Sequence, residues 1–324
     1  MKIAIVGTGF TGLSCAWHLV TKGCEVTLFD ARGIGCGASG IAAGLMHPYV
    51  GEESKRSLHA DEGMQASLEL IQVAEEKLKE SVARRGGILR LSSDAEQRER
   101  LLEYSKQFGD IEPLDESRFW IKSGVTVDSP RYLKGLWEAL VDKGVKLIIQ
   151  EISELQTLNG FDHIVVAAGA GVAQFPELSD LKYSLLKGQV LVCQAPEGIE
   201  LPEKSSVCKG YIALTQEKER CIIGSTYERT FSDSLPDRAL TEQTLFPKTA
   251  LLFPDVEKLH VLECKAGVRV CRKGHYFPLV GKIQDGLWVA TAMGSRGLLY
   301  HGLIGKQLAE ALVSGNNFTI SSNP

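Results

Sequence analysis

Three glycines at positions 7, 9 and 12, followed by an acid at position 30, carry the first chemistry-bearing pattern of the chain. Gly7 permits a tight turn out of a strand, Gly9 lets a pyrophosphate approach bare backbone, and Gly12 lets a helix pack closely on a sheet. The N–H groups of that helix's first turn, at Phe10 and Thr11, carry partial positive charge that suits phosphate. Asp30 is placed to accept hydrogen bonds from ribose hydroxyls, and its charge disfavours a 2′-phosphate. The elements that must hold these residues are present. Lys2–Val6 is a short apolar run, Leu13, Ala16, Trp17 and Val20 recur at helical spacing, and Glu25–Asp30 reads as a second strand. Strand, glycine turn, helix, strand and acid form a dinucleotide-binding βαβ unit, a motif that NAD and FAD sites share.

The stretch after Asp30 favours the larger cofactor. Ala31 and Arg32 lead into a segment with glycine at 33, 35, 37, 40 and 44, with Ala38, Ser39 and Leu45 among the neighbours. Backbone this free of side chains wraps closely around something flat or phosphorylated. Two later turns repeat the theme. A strand over 161–167 ends in Ala168-Gly169, and Met293-Gly294-Ser295-Arg296-Gly297 precedes a helix from Leu298 to 313. FAD is therefore expected over NAD.

Between these turns, residues 54–83 read as one amphipathic helix ended by Gly86-Gly87, and 88–91 as a strand. Asp94 caps a helix to about Phe108, 119–127 is extended, and Ser129-Pro130 opens a helix with proline in its first turn. Residues 145–149 read as a buried strand. From 187 to 270 short β-rich runs succeed one another at 189–193, Tyr211–Leu214, 221–223 and 260–264, with a helix near 238–252 between them. That spacing indicates a mainly antiparallel sheet. The expected fold is α/β, with a Rossmann-like FAD-binding domain from 1–82, 129–183 and 265–324. Residues 83–128 and 184–264 form a mainly antiparallel β substrate domain.

The chain has 324 residues and a net charge of −4, with no long basic run, which argues against a dedicated nucleic-acid-binding domain. Its eight cysteines show no CxxC spacing and fall mostly in strand- or helix-like stretches, as buried thiols of a reducing compartment do. No apolar run reaches membrane-spanning length, and the N-terminal run lacks the pattern of a signal peptide. A cytoplasmic location is expected. The scattered histidines suggest no metal site.

The order of these motifs resembles the D-amino-acid-oxidase superfamily of FAD-dependent amine oxidases over essentially the whole chain. The resemblance rests on the N-terminal βαβ unit, Gly37-Ala38-Ser39 with Gly44, Val165-Val166-Ala167-Ala168-Gly169-Ala170, and Gly267-Val268-Arg269 followed by Pro278 and Gly281. Two branches are most similar: glycine oxidase, and the FAD-dependent domain of the tRNA wobble-uridine modification enzyme MnmC. Gly210-Tyr211-Ile212, 221–227, Ala266-Gly267-Val268-Arg269, 275–281 and 293–298 resemble the second. Ile41-Ala42-Ala43 is nearer the first, and Met1 abuts the first strand, so no methyltransferase domain is expected ahead of the module.

The resemblance implies an FAD-dependent oxidoreductase acting on CH–NH groups. A glycine unit, free or N-substituted, gives up hydride to the flavin, and the imine hydrolyses to glyoxylate and an amine. Dioxygen is the expected electron acceptor. The implied partner is a glycine-like small molecule or a modified tRNA, with demodification of carboxymethylaminomethyl-uridine in tRNA as the leading substrate. Glycine oxidase or dehydrogenase activity and a non-catalytic flavin-binding role are the alternatives. Arg269 is implied to hold the substrate carboxylate through its planar guanidinium. The helix that starts at Gly297 is expected to supply positive potential to the reduced flavin, with Arg296 adding a full charge there or facing the substrate instead. Tyr211 is expected to orient substrate, and His275 to contact substrate or flavin.

Overall fold

The computed structural model of the chain describes residues 1–315. Strand β1 (Lys2–Val6), helix α1 (Phe10–Thr21) and strand β2 (Glu25–Asp30) form the expected unit, the strands pairing in parallel from Lys2↔Glu25 to Val6↔Phe29. They lie in a six-stranded sheet of order Leu279–Gln284, Leu287–Thr291, His163–Val166, β1, β2, Lys146–Ile149. Its strands pair in parallel except at the Leu279–Gln284 edge.

Side chains alternate across this sheet, and both faces are covered. Ile3, Ile5, Val26, Leu28 and Trp288 pack in the core shared with α1 and with helices Ala60–Leu78, Ser129–Asp142 and Gly297–Ser314. Ala4, Val6, Phe29, Val166 and Val289 pack with Val172 and Phe175 on the other face. Burial on both faces is why these strands read as continuous apolar runs. The C-terminal helix crosses its neighbours closely: a Cβ at Gly302 would lie 2.5 Å from the Ala66 backbone.

The second layer is an eight-stranded sheet of order His260–Arg272, Tyr183–Gln194, Arg220–Gly224, Tyr211–Leu214, Ser206–Val207, Ile88–Leu91, Arg118–Ile121, Ile111–Pro113. It is antiparallel apart from the parallel pair of Ser206–Val207 with Ile88–Leu91. A Cβ at Gly267 would meet Ile41 Cδ1 at 2.6 Å, so its longest strand passes directly over the glycine-rich loop of the first layer.

Several elements differ from the sequence reading. The helix expected over 54–83 spans only Ala60–Leu78, because Ser54, His59 and Lys79 have left-handed backbone. Leu58, inside the expected span, lies outside the helix and is 56% exposed. The strand at Lys146–Ile149 is an edge strand, paired only with β2, and Ile149 is 59% exposed rather than buried. The runs read at 189–193 and 260–264 are parts of much longer strands, which pair from Tyr183↔Arg272 to Gln194↔His260. Partners that cover a ladder's full length extend strands past their apolar centres. The cap read at Asp94 is present, and Asp128 and Asp237, which the sequence reading did not name, cap two more helices. Asp94, Asp128 and Asp237 each accept a backbone N–H at the start of a helix, at 2.8, 3.2 and 3.0 Å.

The eight cysteines are all free; four are buried, and Cys36 is exposed. Among the described residues no helix is long and apolar enough to cross a membrane, and no cluster of His, Cys, Asp and Glu is arranged to hold a metal ion.

Candidate active site

A cavity of about 1190 Å³ separates the two sheets and reaches from the glycine turn to the C-terminal helix. Gly7, Gly9, Phe10, Thr11, Asp30, Ala31, Arg32, Gly37, Ala38, Ser39, Gly44 and Leu45 line one part of it, with Ala168 and Gly169. Gly294, Ser295, Arg296, Gly297 and Leu298 line another, at the start of the Gly297–Ser314 helix. Gly12 is not in the wall. A Cβ there would lie 1.9 Å from the Gly7 carbonyl oxygen, so Gly12 serves the close contact between helix and turn.

The turn is built to receive an anion. Gly7 has φ +107°, and a Cβ on it would strike the Ala167 carbonyl. The Phe10 N–H donates to Ser39 Oγ at 3.1 Å, which leaves the Ser39 hydroxyl proton and the other N–H groups of the first turn for phosphate oxygens. Asp30, in the cavity wall, also has a structural part beside the ribose role expected from the sequence. Its carboxylate accepts the N–H groups of Thr8, Arg32 and Gly33 at 3.0, 2.9 and 3.0 Å. The Thr8 hydroxyl also lies 2.9 Å from it, with its single proton shared between Asp30 and the Gly33 carbonyl. A carboxylate offers about four lone-pair sites. Asp30 therefore fastens the glycine turn to the next loop.

The opposite wall belongs to the antiparallel sheet. Tyr211 pairs with Gly224, and a Cβ at Gly224 would lie 2.3 Å from the Tyr211 hydroxyl, so the ring lies flat on the neighbouring strand. In the same way Gly188 leaves room for Arg269: a Cβ there would lie 2.4 Å from its guanidinium. Two glycines thus make a floor on which a phenol and a guanidinium lie. Arg269 donates to the Thr226 carbonyl at 3.2 Å, stands 5.7 Å from the Tyr227 ring, and forms no ion pair among the described residues. Burial pushes the Tyr211 phenol up to about 12, against the opposing field of Arg269, so it is a neutral donor at physiological pH.

Arg296 is buried without a carboxylate partner among the described residues. It donates to Ser57 Oγ and to the Val50 carbonyl, each at 3.1 Å, and stacks 4.4 Å from the Tyr276 ring. His275 is not a wall residue; its Nδ1 accepts the Phe277 N–H at 2.8 Å. The wall instead includes the buried Arg90, which the sequence reading did not single out. The available signal was its phase: in Ile88–Leu91 it shares the buried face with Ile88.

His47 also lines the cavity, and its Nδ1 accepts the Tyr49 N–H at 3.2 Å. Burial, then Arg90 and Arg296, hold its imidazole down at about 3. Burial likewise lowers His18 and His301 to about 4. These groups stay neutral in the folded protein, whereas the unfolded chain protonates them near 6.5. Unfolding therefore takes up protons between about 6.5 and the depressed values. The thermal midpoint should be flat above pH 7 and fall as pH drops from about 6.5 towards 4. A midpoint unchanged between pH 7 and 5 would contradict this burial of neutral imidazoles.

A family model described as FAD dependent oxidoreductase, DAO, matches residues 2–311. The chain belongs to this family and is an FAD-dependent oxidoreductase. Among particular relatives, the putative thiamine biosynthesis oxidoreductase ThiO of Rhizobium etli is 26% identical over 90% of this chain and 94% of its own length. The tRNA 5-methylaminomethyl-2-thiouridine biosynthesis bifunctional protein MnmC of Acinetobacter baylyi is 28% identical over 99% of this chain. The chain spans 54% of that relative, about half its length. The crystal structure of glycine oxidase from Geobacillus kaustophilus superposes with a TM-score of 0.83 at 22% identity, covering 99% of this chain and 96% of that one. The fold is therefore of the glycine oxidase type.

Proposed function

We propose that this enzyme oxidises the carbon–nitrogen bond of a glycine unit carried as a secondary amine. The observation that carries the reading is Arg269, a cavity guanidinium without a carboxylate partner among the described residues, laid over Gly188 beside the neutral phenol of Tyr211. Arg269 would take the substrate carboxylate and Tyr211 would donate a hydrogen bond to it, fixing the α-carbon inside the cavity. FAD, when bound, supplies the hydride acceptor. The glycine turn, Ser39 and the helix at Gly297 would hold it, the last offering a positive dipole end. Loss of a hydride from the α-carbon and a proton from the nitrogen, two electrons and two protons in all, turns the amine into an imine. Water then splits the imine into glyoxylate and the remaining amine.

A second reading has its own observation. Lys209, Arg229 and Lys248 line the cavity together with Tyr227, which is 58% exposed. Cations around an exposed ring suit a polyanion that presents a base. On this reading the glycine unit is the carboxymethylaminomethyl group of a tRNA uridine, as the name of the MnmC relatives invites.

Anaerobic loss of flavin absorbance tests both. Glycine, sarcosine, iminodiacetate and tRNA bearing the modified uridine are each added to the purified holoenzyme. Bleaching by the small secondary amines supports the first reading, and bleaching by tRNA alone supports the second. A yellow protein that none of them bleaches would sink both. Oxygen uptake during turnover then separates an oxidase from a dehydrogenase.

A further inference from the structure

Arg90 is 3% exposed and faces the cavity, yet it forms no ion pair among the described residues. One N–H goes to the Gly51 carbonyl at 3.0 Å, and its buried Nε–H has no acceptor there. Glu52 is the carboxylate whose field reaches it, but the two do not pair. A second guanidinium converges on the same turn: Arg296 donates to the Val50 carbonyl, and a Cβ on Gly51 would lie 3.9 Å from it. His47, in the same wall, feels both charges and is neutral. Two desolvated cations on one turn, without a counter-ion, are costly, and an anion placed in the cavity would offset that cost.

The sheet register says which anion. Arg90 pairs with Val207, and Val207 pairs with Tyr211. Residues directly opposite one another share a face, so Arg90 and Tyr211 point the same way from strands about 10 Å apart. Arg90 therefore belongs to the wall that carries Tyr211 and Arg269. The phosphate-accepting turn at Gly7–Gly12 belongs to the other sheet.

We propose that Arg90, with Arg296 beside it, forms a second anion subsite, so that the substrate's N-substituent ends in a carboxylate. The substrate class is then a secondary amine dicarboxylate: Arg269 takes the carboxylate of the glycine unit that is oxidised, and Arg90 takes the distal one. The inference rests on the amine-oxidase reading above and narrows its substrate.

The test uses two matched pairs on the holoenzyme. Thiodiglycolate and methylthioacetate differ only by the second carboxylate and cannot be oxidised as amines; their binding is measured by calorimetry. Iminodiacetate and sarcosine differ in the same way, and their kcat/KM is measured. The dicarboxylate should lead by about 10- to 100-fold in each pair, as a charged hydrogen bond to a buried group implies. Arg90→Met should bring the ratios close to one, and Arg90→Lys should restore part of the preference. Ratios near one in the unmodified enzyme would overturn the subsite, as would a preference that survives Arg90→Met. Should Arg90→Met fail to fold or to hold flavin, the wild-type ratios and Arg90→Lys still decide. If no amine is oxidised but thiodiglycolate still leads, the subsite stands and the amine-oxidase reading falls. Bleaching by the modified tRNA, with no preference in either pair, would remove the subsite and leave the oxidase.

Discussion

Arg269→Ala is expected to lower kcat/KM for an N-substituted glycine by about 30- to several-thousand-fold while the protein keeps its FAD. Removing one partner of a desolvated charge pair costs about 2–5 kcal/mol, and each 1.4 kcal/mol is a factor of ten. The geometry makes Arg269 a clean target. Its guanidinium lies across Gly188, and it has no carboxylate partner among the described residues, so truncation leaves no protein acid stranded. Arg269→Lys should recover only part of the loss, because an ammonium cannot present two parallel N–H groups to a carboxylate. The loss should fall mainly on KM, with flavin absorbance per protein unchanged. Kinetics equal to those of the unmodified enzyme would take Arg269 out of the carboxylate role.

Gly9→Val is expected to give folded protein without flavin. A Cβ at Gly9 lies 2.7 Å from Ser39 Oγ, so the new side chain displaces the serine that receives the Phe10 N–H. A branched side chain also fills the ground on which a pyrophosphate must approach the backbone. The obstacle is the end of a flexible side chain, not backbone, so the fold survives. Gly12 would be a poorer probe, because a Cβ there meets the Gly7 carbonyl at 1.9 Å and disturbs the unit itself. Circular dichroism reports the fold and visible absorbance reports the cofactor. A Gly9→Val protein carrying its usual flavin would move the pyrophosphate away from this turn.

Much of the lining of the candidate cofactor cavity was legible in the amino-acid pattern. Gly7 and Gly9 of the turn, most of the small residues at 36–45, Ala168-Gly169 and the helix start at Gly297 line one cavity. Arg269, Tyr211 and Arg296 share it, whereas His275 does not. Helix starts at Asp94 and at Ser129-Pro130 were also readable, because a cap and a first-turn proline are local signals. The misreadings fell where distant segments decide. The 54–83 periodicity continued past a helix whose ends are set by left-handed residues, and the apolar run at 145–149 is an edge strand with a partner on one side only.

The sequence by itself determined that a dinucleotide is bound, because the glycine turn, the helix start and the flanking strands are local demands on the backbone met within thirty residues. It also determined the family-level order of motifs. Only the tertiary structure decided how the polar side chains are shared out. Asp30 was recruited to hold the turn because Thr8 and Gly33 fold back onto it. Arg269 and Tyr211 became neighbours because Gly188 and Gly224 leave the sheet face bare beneath them. Arg90 joined their wall because strand register set it in one row with Val207 and Tyr211. Register is a long-range property: it brings together residues far apart in the chain, and nothing in the local pattern around any one of them specifies its partner.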